Sequence, residues 1–132
     1  MTKILKFLFL CGVILTLLPG RGFAAVPTPS TPTGMALGAW LTAYNSGDAK
    51  LLKAFYNSYH WNGRIEEDQK MWSATGELVL LRITLDENFQ IQALLKGSKE
   101  GVRSRIRIVI NEKNPSSINT IILLTGTTPF PK

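Results

Sequence analysis

A chain of 132 residues with one histidine and one cysteine has room for one ordinary domain, and it excludes both a multi-histidine metal centre and a disulfide framework. Its formal net charge of +6 overstates the basicity: setting aside Lys3, Lys6 and Arg21 of a leader takes the 15 basic residues to 12 against 9 acidic ones, a net of +3. So small an excess supports solubility and argues against nucleic acid as a partner.

The leader comes first. Lys3 and Lys6 precede an apolar run from Phe7 to Leu18, Pro19-Gly20 breaks it, and small residues follow at Gly22, Ala24 and Ala25. A positive start, an apolar stretch of about 7–15 residues and a small-x-small site define a secretory signal, too short for the ~20 residues that span a bilayer. Cleavage after Ala24 puts Gly22 and Ala24 at the two small positions. Residues 1–24 are therefore expected to be removed, leaving a periplasmic or secreted chain without a membrane span. Cys11 sits inside the apolar run behind Leu8-Phe9-Leu10 and reads as a small hydrophobe, not as a lipid-accepting residue. The mature chain then has no cysteine, so it must be held by its core.

Residues 25–33 carry three prolines (Pro27, Pro29 and Pro32) and no apolar period, which predicts an extended linker ahead of a domain over 34–132. From Gly34, residues Leu37, Trp40, Leu41 and Tyr44 recur at i, i+3, i+4 and i+7, one face of a helix. Asn45-Ser46-Gly47 stops it, with Gly47 suited to a left-handed terminal position, and Asp48 caps a second helix reaching about Ser58. Leu51, Leu52, Phe55 and Tyr59 form its apolar face. Asn62-Gly63 signals a turn, and a shorter helix is predicted between Arg64 and Trp72, with Glu66, Glu67 and Asp68 where the helix dipole favours acids.

After Gly76 the period becomes 2. Val79, Leu81, Ile83 and Leu85 alternate along one strand; Phe89, Ile91, Ala93 and Leu95 along the next; Ser104, Ile106, Ile108 and Ile110 alternate against Arg103, Arg105 and Arg107; Ile118–Thr125 closes the set. Short polar turns between them predict an antiparallel meander with one buried face, covered by the helices. The fold class is α+β: N-terminal helices packed on a curved antiparallel sheet of about four strands.

At Ala39-Trp40-Leu41-Thr42-Ala43-Tyr44-Asn45-Ser46-Gly47-Asp48, followed by Leu51-Leu52-Lys53-Ala54-Phe55, the chain resembles the opening of a nuclear-transport-factor-2-like (SnoaL-like) domain. More narrowly it is similar to the version that precedes the catalytic part of exported bacterial serine hydrolases and C-terminal-processing-type peptidases. Thr31-Pro32-Thr33-Gly34 matches the lead-in of those relatives, Thr75-Gly76-Glu77 the step into the sheet, and Thr128-Pro129-Phe130-Pro131 the closing tail. The resemblance implies a cone-shaped fold enclosing a pocket. It also implies an exported non-enzymatic module that binds a small molecule or a partner protein, such as a hydrolase supplied in trans. The hydrolase itself is absent, since neither G-x-S-x-G nor S-x-x-K occurs.

His60 is the weak catalytic candidate: paired with Glu66 or Asp68 it would serve a small pocket enzyme of hydrolase or isomerase type, an alternative to the binding module. A remnant of a larger serine hydrolase is the other alternative. Trp40, Tyr44, Tyr56, Tyr59 and Trp61 are candidate ligand-binding residues at a cavity mouth, against the simpler reading of core and rim packing. Arg103, Arg105 and Arg107 project about 6.6–7 Å apart from one strand face, where they suit an anionic partner or simply a solvated surface. No metal or cofactor is expected, because the consecutive acids 66–68 point about 100° apart on a helix and cannot converge.

Overall fold

A computed structural model describes residues 26–126; the expected signal segment 1–24, its cleavage point after Ala24 and the Thr128–Pro131 tail lie outside them. Three helices, α1 Pro32–Asn45, α2 Ala49–Ser58 and α3 Ile65–Thr75, precede four strands, β1 Leu78–Glu87, β2 Gln90–Gly97, β3 Arg103–Ile110 and β4 Ile118–Gly126. All strand pairs are antiparallel and the order is β1-β2-β3-β4, so the chain is α+β with a four-stranded meander.

Local chemistry sets the helix ends. Helix α1 starts at Pro32 rather than Gly34, because the Thr31 hydroxyl accepts the Gly34 N–H at 3.2 Å and Pro32 fills the first position, where no N–H is needed. At its end the Ser46 hydroxyl donates to the Ala43 carbonyl at 2.6 Å and accepts the Asp48 N–H at 3.1 Å. The Asp48 carboxylate then accepts the Lys50 N–H at 2.8 Å and opens α2. Between them Gly47 sits at φ 65°, and a β-carbon there would stand 3.2 Å from the Trp72 ring. Conformation and space both select glycine at this corner.

The proline-rich stretch is not a free spacer throughout. Thr28 and Pro29 are half-buried against α1, over Gly34 and Gly38. A β-carbon at Gly34 would collide with the Pro29 carbonyl, and one at Gly38 would stand 3.0 Å from the Thr28 hydroxyl. Small residues four apart make a shallow channel on the helix, and the strap lies in it.

Helix α1 rests on β1, β2 and β3, while α2 and α3 pack beside it. Leu37 and Trp40 meet Ile91, Ala93, Leu95, Ile106 and Ile108, all fully buried. Each such large side chain contributes about 1.5–3 kcal/mol through the water it sheds. Alternation in β2 and β3 follows the sequence pattern. In β1 it does not: Leu78 and Leu80 face the core, and Val79 and Leu81 are 39% and 41% exposed. The register shifts between Leu80 and Arg82, and again between Ile83 and Leu85, so Ile83 turns inward opposite Ala93 while Leu85 pairs with the outward Gln92. A bulge adds one residue, and one residue inverts strand parity. Leu51, expected on the apolar face of α2, is 49% exposed; Leu52, Phe55 and Tyr56 carry that face.

Candidate functional site

The layer interface itself is filled by Trp40 and Tyr44, whose rings stack with centroids 4.7 Å apart. Open space lies to one side instead, where α3 and the loop before it approach β4. There a cleft of about 270 Å³ is lined by Tyr56, Trp61, Arg64, Asp68, Met71 and the β4 residues 121–123, among others.

Its polar centre is Tyr56 and Asp68. The Tyr56 hydroxyl lies 2.5 Å from Asp68 Oδ2 and 3.3 Å from the Arg64 carbonyl oxygen. One hydroxyl hydrogen cannot serve both acceptors. The shorter contact takes it: the Tyr56 hydroxyl donates to Asp68 Oδ2, and the Arg64 carbonyl stands as a second, longer acceptor beside it. Desolvation raises the Asp68 carboxyl above its ordinary value, against the opposing pull of the Tyr56 hydrogen bond. Burial, reinforced by Asp68, likewise pushes the Tyr56 hydroxyl far up. Tyr56 and Asp68 thus form a hydrogen-bonded phenol–carboxyl pair, half-shielded from water and framed by Trp61, Met71 and Ile121.

Of the expected ligand residues, Tyr56 and Trp61 line this cleft. Tyr59 packs on Phe55 with centroids 5.0 Å apart and borders two shallower hollows. Trp40 is fully buried, so it is a core residue and not part of a cavity mouth. Tyr44, also buried, donates to or accepts from the Thr75 hydroxyl at 2.7 Å, and burial pushes its own hydroxyl up to about 12. It borders only a small hollow of about 220 Å³ beside Gly47 and Trp72.

The pairing of His60 with Glu66 or Asp68 is not formed among the described residues: His60 is exposed, and Asp68 engages Tyr56. What His60 supplies is backbone. Its φ of 48° follows the end of α2, with its N–H on the Asn57 carbonyl at 3.4 Å and the Trp61 N–H on the Tyr56 carbonyl at 2.8 Å. These two bonds make a Schellman stop, and histidine is one of the few side-chain-bearing residues enriched in the left-handed region it requires. The stop swings Trp61 back over Tyr56. Among the described residues no three His, Cys, Asp or Glu side chains come together so as to hold a metal ion.

Arg103, Arg105 and Arg107 stand on the sheet face away from the helices. Arg107 donates to Gln90 Oε1 at 3.0 Å, and Arg103 donates to the Val102 carbonyl at 3.4 Å. The register adds two cations that the sequence pattern did not single out: Lys96 lies opposite Arg103, and Arg82 shares a row with Leu94, Arg105 and Leu124. In β1, Glu87 is the acid on that face, at its corner. The bulge after the inward Leu80 leaves Arg82 outward, on the solvent side that the Val79–Leu85 alternation also gives it, and only the strand register sets it in one row with Arg105. Asp68 was likewise hidden among three consecutive acids; only the packing of α3 beside Tyr56 separates it from Glu66 and Glu67.

Comparison of the chain with family models, with curated proteins and with solved structures finds no match.

Proposed function

We propose that this chain is an exported domain of the nuclear-transport-factor-2-like kind that binds a small molecule without transforming it. The observation that carries the reading is the Tyr56–Asp68 pair at the centre of the cleft. A hydrogen-bonded carboxyl–phenol pair among Trp61, Met71 and Ile121 suits a small amphipathic ligand. Such a ligand would bring a hydrogen-bonding group to Asp68 and an apolar body to the surrounding side chains. The helix corner through Asn45, Gly47 and Asp48, and three helices ahead of an antiparallel sheet, support the family reading. Leader chemistry in residues 1–24 supports export to the periplasm or beyond. The exposure of His60, and the commitment of Asp68 to Tyr56, weigh against a His60-based enzyme.

The test is a fragment screen read by amide and indole chemical shifts, using small amines and amides with an aromatic or aliphatic body. Hits should perturb Trp61, Asp68 and Met71 together, and Asp68→Ala should abolish them. Perturbations confined to the hollow around Pro32, Met35 and Tyr59, or insensitivity to Asp68→Ala, would sink the proposal.

A further inference from the structure

The two edges of the sheet differ. At β1 the Asn45 side chain acts as a substitute strand: its amide donates to the Leu78 carbonyl at 2.8 Å and its carbonyl accepts the Leu78 N–H at 2.7 Å. Two register shifts then bend the strand, and Arg82, Asp86 and Glu87 place charges along it. Bulges, charges and covering groups are the devices by which sheets block unwanted pairing at an edge.

Strand β4 has none of these along most of its length. Its outward side is tied at the first residue, where the Ile118 N–H donates to the Tyr59 carbonyl at 2.9 Å. From Asn119 to Gly126, no further hydrogen bond reaches that side among the described residues. This stretch has no charge and no proline, and its pairing with β3 is in unbroken register from Thr120 to Gly126. Ile122 and Leu124 are 41% and 57% exposed.

We infer that β4 pairs with the β4 of a second copy of this chain, antiparallel about a two-fold axis, joining two sheets into one. The occupant is argued from the strand itself. In any register that pairs Ile118–Gly126 with itself, a second β4 opposes it with Ile, Leu, Thr, Asn or Gly, so no like charges meet within the strand and β-branched residues pair across the junction. Arg105 and Arg107 stand one strand in, which sets each at least about 14 Å from its counterpart, beyond the ~8 Å screening length at physiological salt. Stacking the sheets face to face would instead press Arg82, Lys96, Arg103 and Arg107 against their own copies. The cleft shares residues 121–123 with this edge, so a second β4 borders the cleft mouth. The inference does not depend on what the cleft binds.

Sedimentation velocity of the purified protein from low micromolar to near millimolar concentration should show a reversible monomer–dimer equilibrium. Hydrogen exchange across the same range should show protection growing at Asn119–Gly126. Leu124→Lys, at an exposed position, should weaken the dimer by about tenfold or more while leaving the melting temperature close to wild type. Ile122→Lys serves if that variant unfolds, and Arg107→Glu should leave the dimer intact. A monomer at every concentration, a dimer indifferent to both lysine variants, or protection appearing elsewhere than on β4 overturns the inference.

Discussion

Replacing Asn45 by alanine removes both hydrogen bonds that close the start of β1, at 2.7 and 2.8 Å, and leaves the Leu78 N–H and carbonyl without a protein partner. Each intramolecular bond of this kind contributes about 1 kcal/mol net, and water reaches this part-buried site well enough to keep the loss near that figure. The expected destabilisation is therefore about 2 kcal/mol, a fall of about 8–16 °C in melting temperature for a domain of this size. Urea unfolding followed by tryptophan fluorescence measures it directly. Asn45→Asp separates the two bonds. A carboxylate still accepts the Leu78 N–H but faces the Leu78 carbonyl with another acceptor, so at neutral pH it should be no better than alanine. It should recover part of the loss in acid, where a protonated carboxyl can donate again. A loss under about 0.5 kcal/mol for Asn45→Ala would show that the pair is replaced by water at no cost, and would refute the reasoning.

Two further predictions follow from buried chemistry and backbone shape. Burial raises Asp68 above its reference value of 3.8, so the folded chain holds this proton more tightly than the unfolded one. Its stabilising contribution is complete below pH 3.8 and is lost as pH rises through the folded value. Asp68→Asn removes the titrating group and keeps a carbonyl acceptor for the Tyr56 hydroxyl, so a pH series of unfolding curves should be flatter than wild type and no less stable at pH 7; a loss above about 1 kcal/mol there would show that the fold favours the carboxylate. His60→Gly relieves a left-handed residue of its β-carbon and should stabilise the fold by about 0.5–1 kcal/mol, read by thermal melting, after allowing for glycine's extra freedom when unfolded. Destabilisation would mean that the ring, and not the backbone, is what matters at that position.

The order of elements was legible because it rests on period and punctuation. Leu37, Trp40 and Tyr44 on a 3.6 period, the Asn45–Asp48 corner, and Ile106, Ile108 and Ile110 on a period of 2 each demand one kind of backbone. The parity of β1 was not legible, because Val79, Leu81, Ile83 and Leu85 alternate as cleanly as Leu78 and Leu80 do. Only the pairing with β2 decides which set turns inward. The strap was hidden for a related reason: proline content reports stiffness, and says nothing about the channel that Gly34 and Gly38 open on the next element. The candidate site was half visible. Tyr56 and Trp61 stood out as aromatics at a helix end. Asp68 gained its distinct character from a neighbour twelve positions away, and sequence spacing has no rule for that contact.

Because each strand hydrogen-bonds only to its neighbours in sequence, the sheet needs no distant segment before it can begin to form. Every closure is a short hairpin, so the entropy lost at each step is small and collapse can proceed in the order in which residues become available. Helices α1 to α3 precede the sheet along the chain, and their greasy sides wait until the first hairpin arrives to cover them. A polypeptide delivered N-terminus first would therefore spend its most adhesive moment before β2 is complete, and its final strand would settle last.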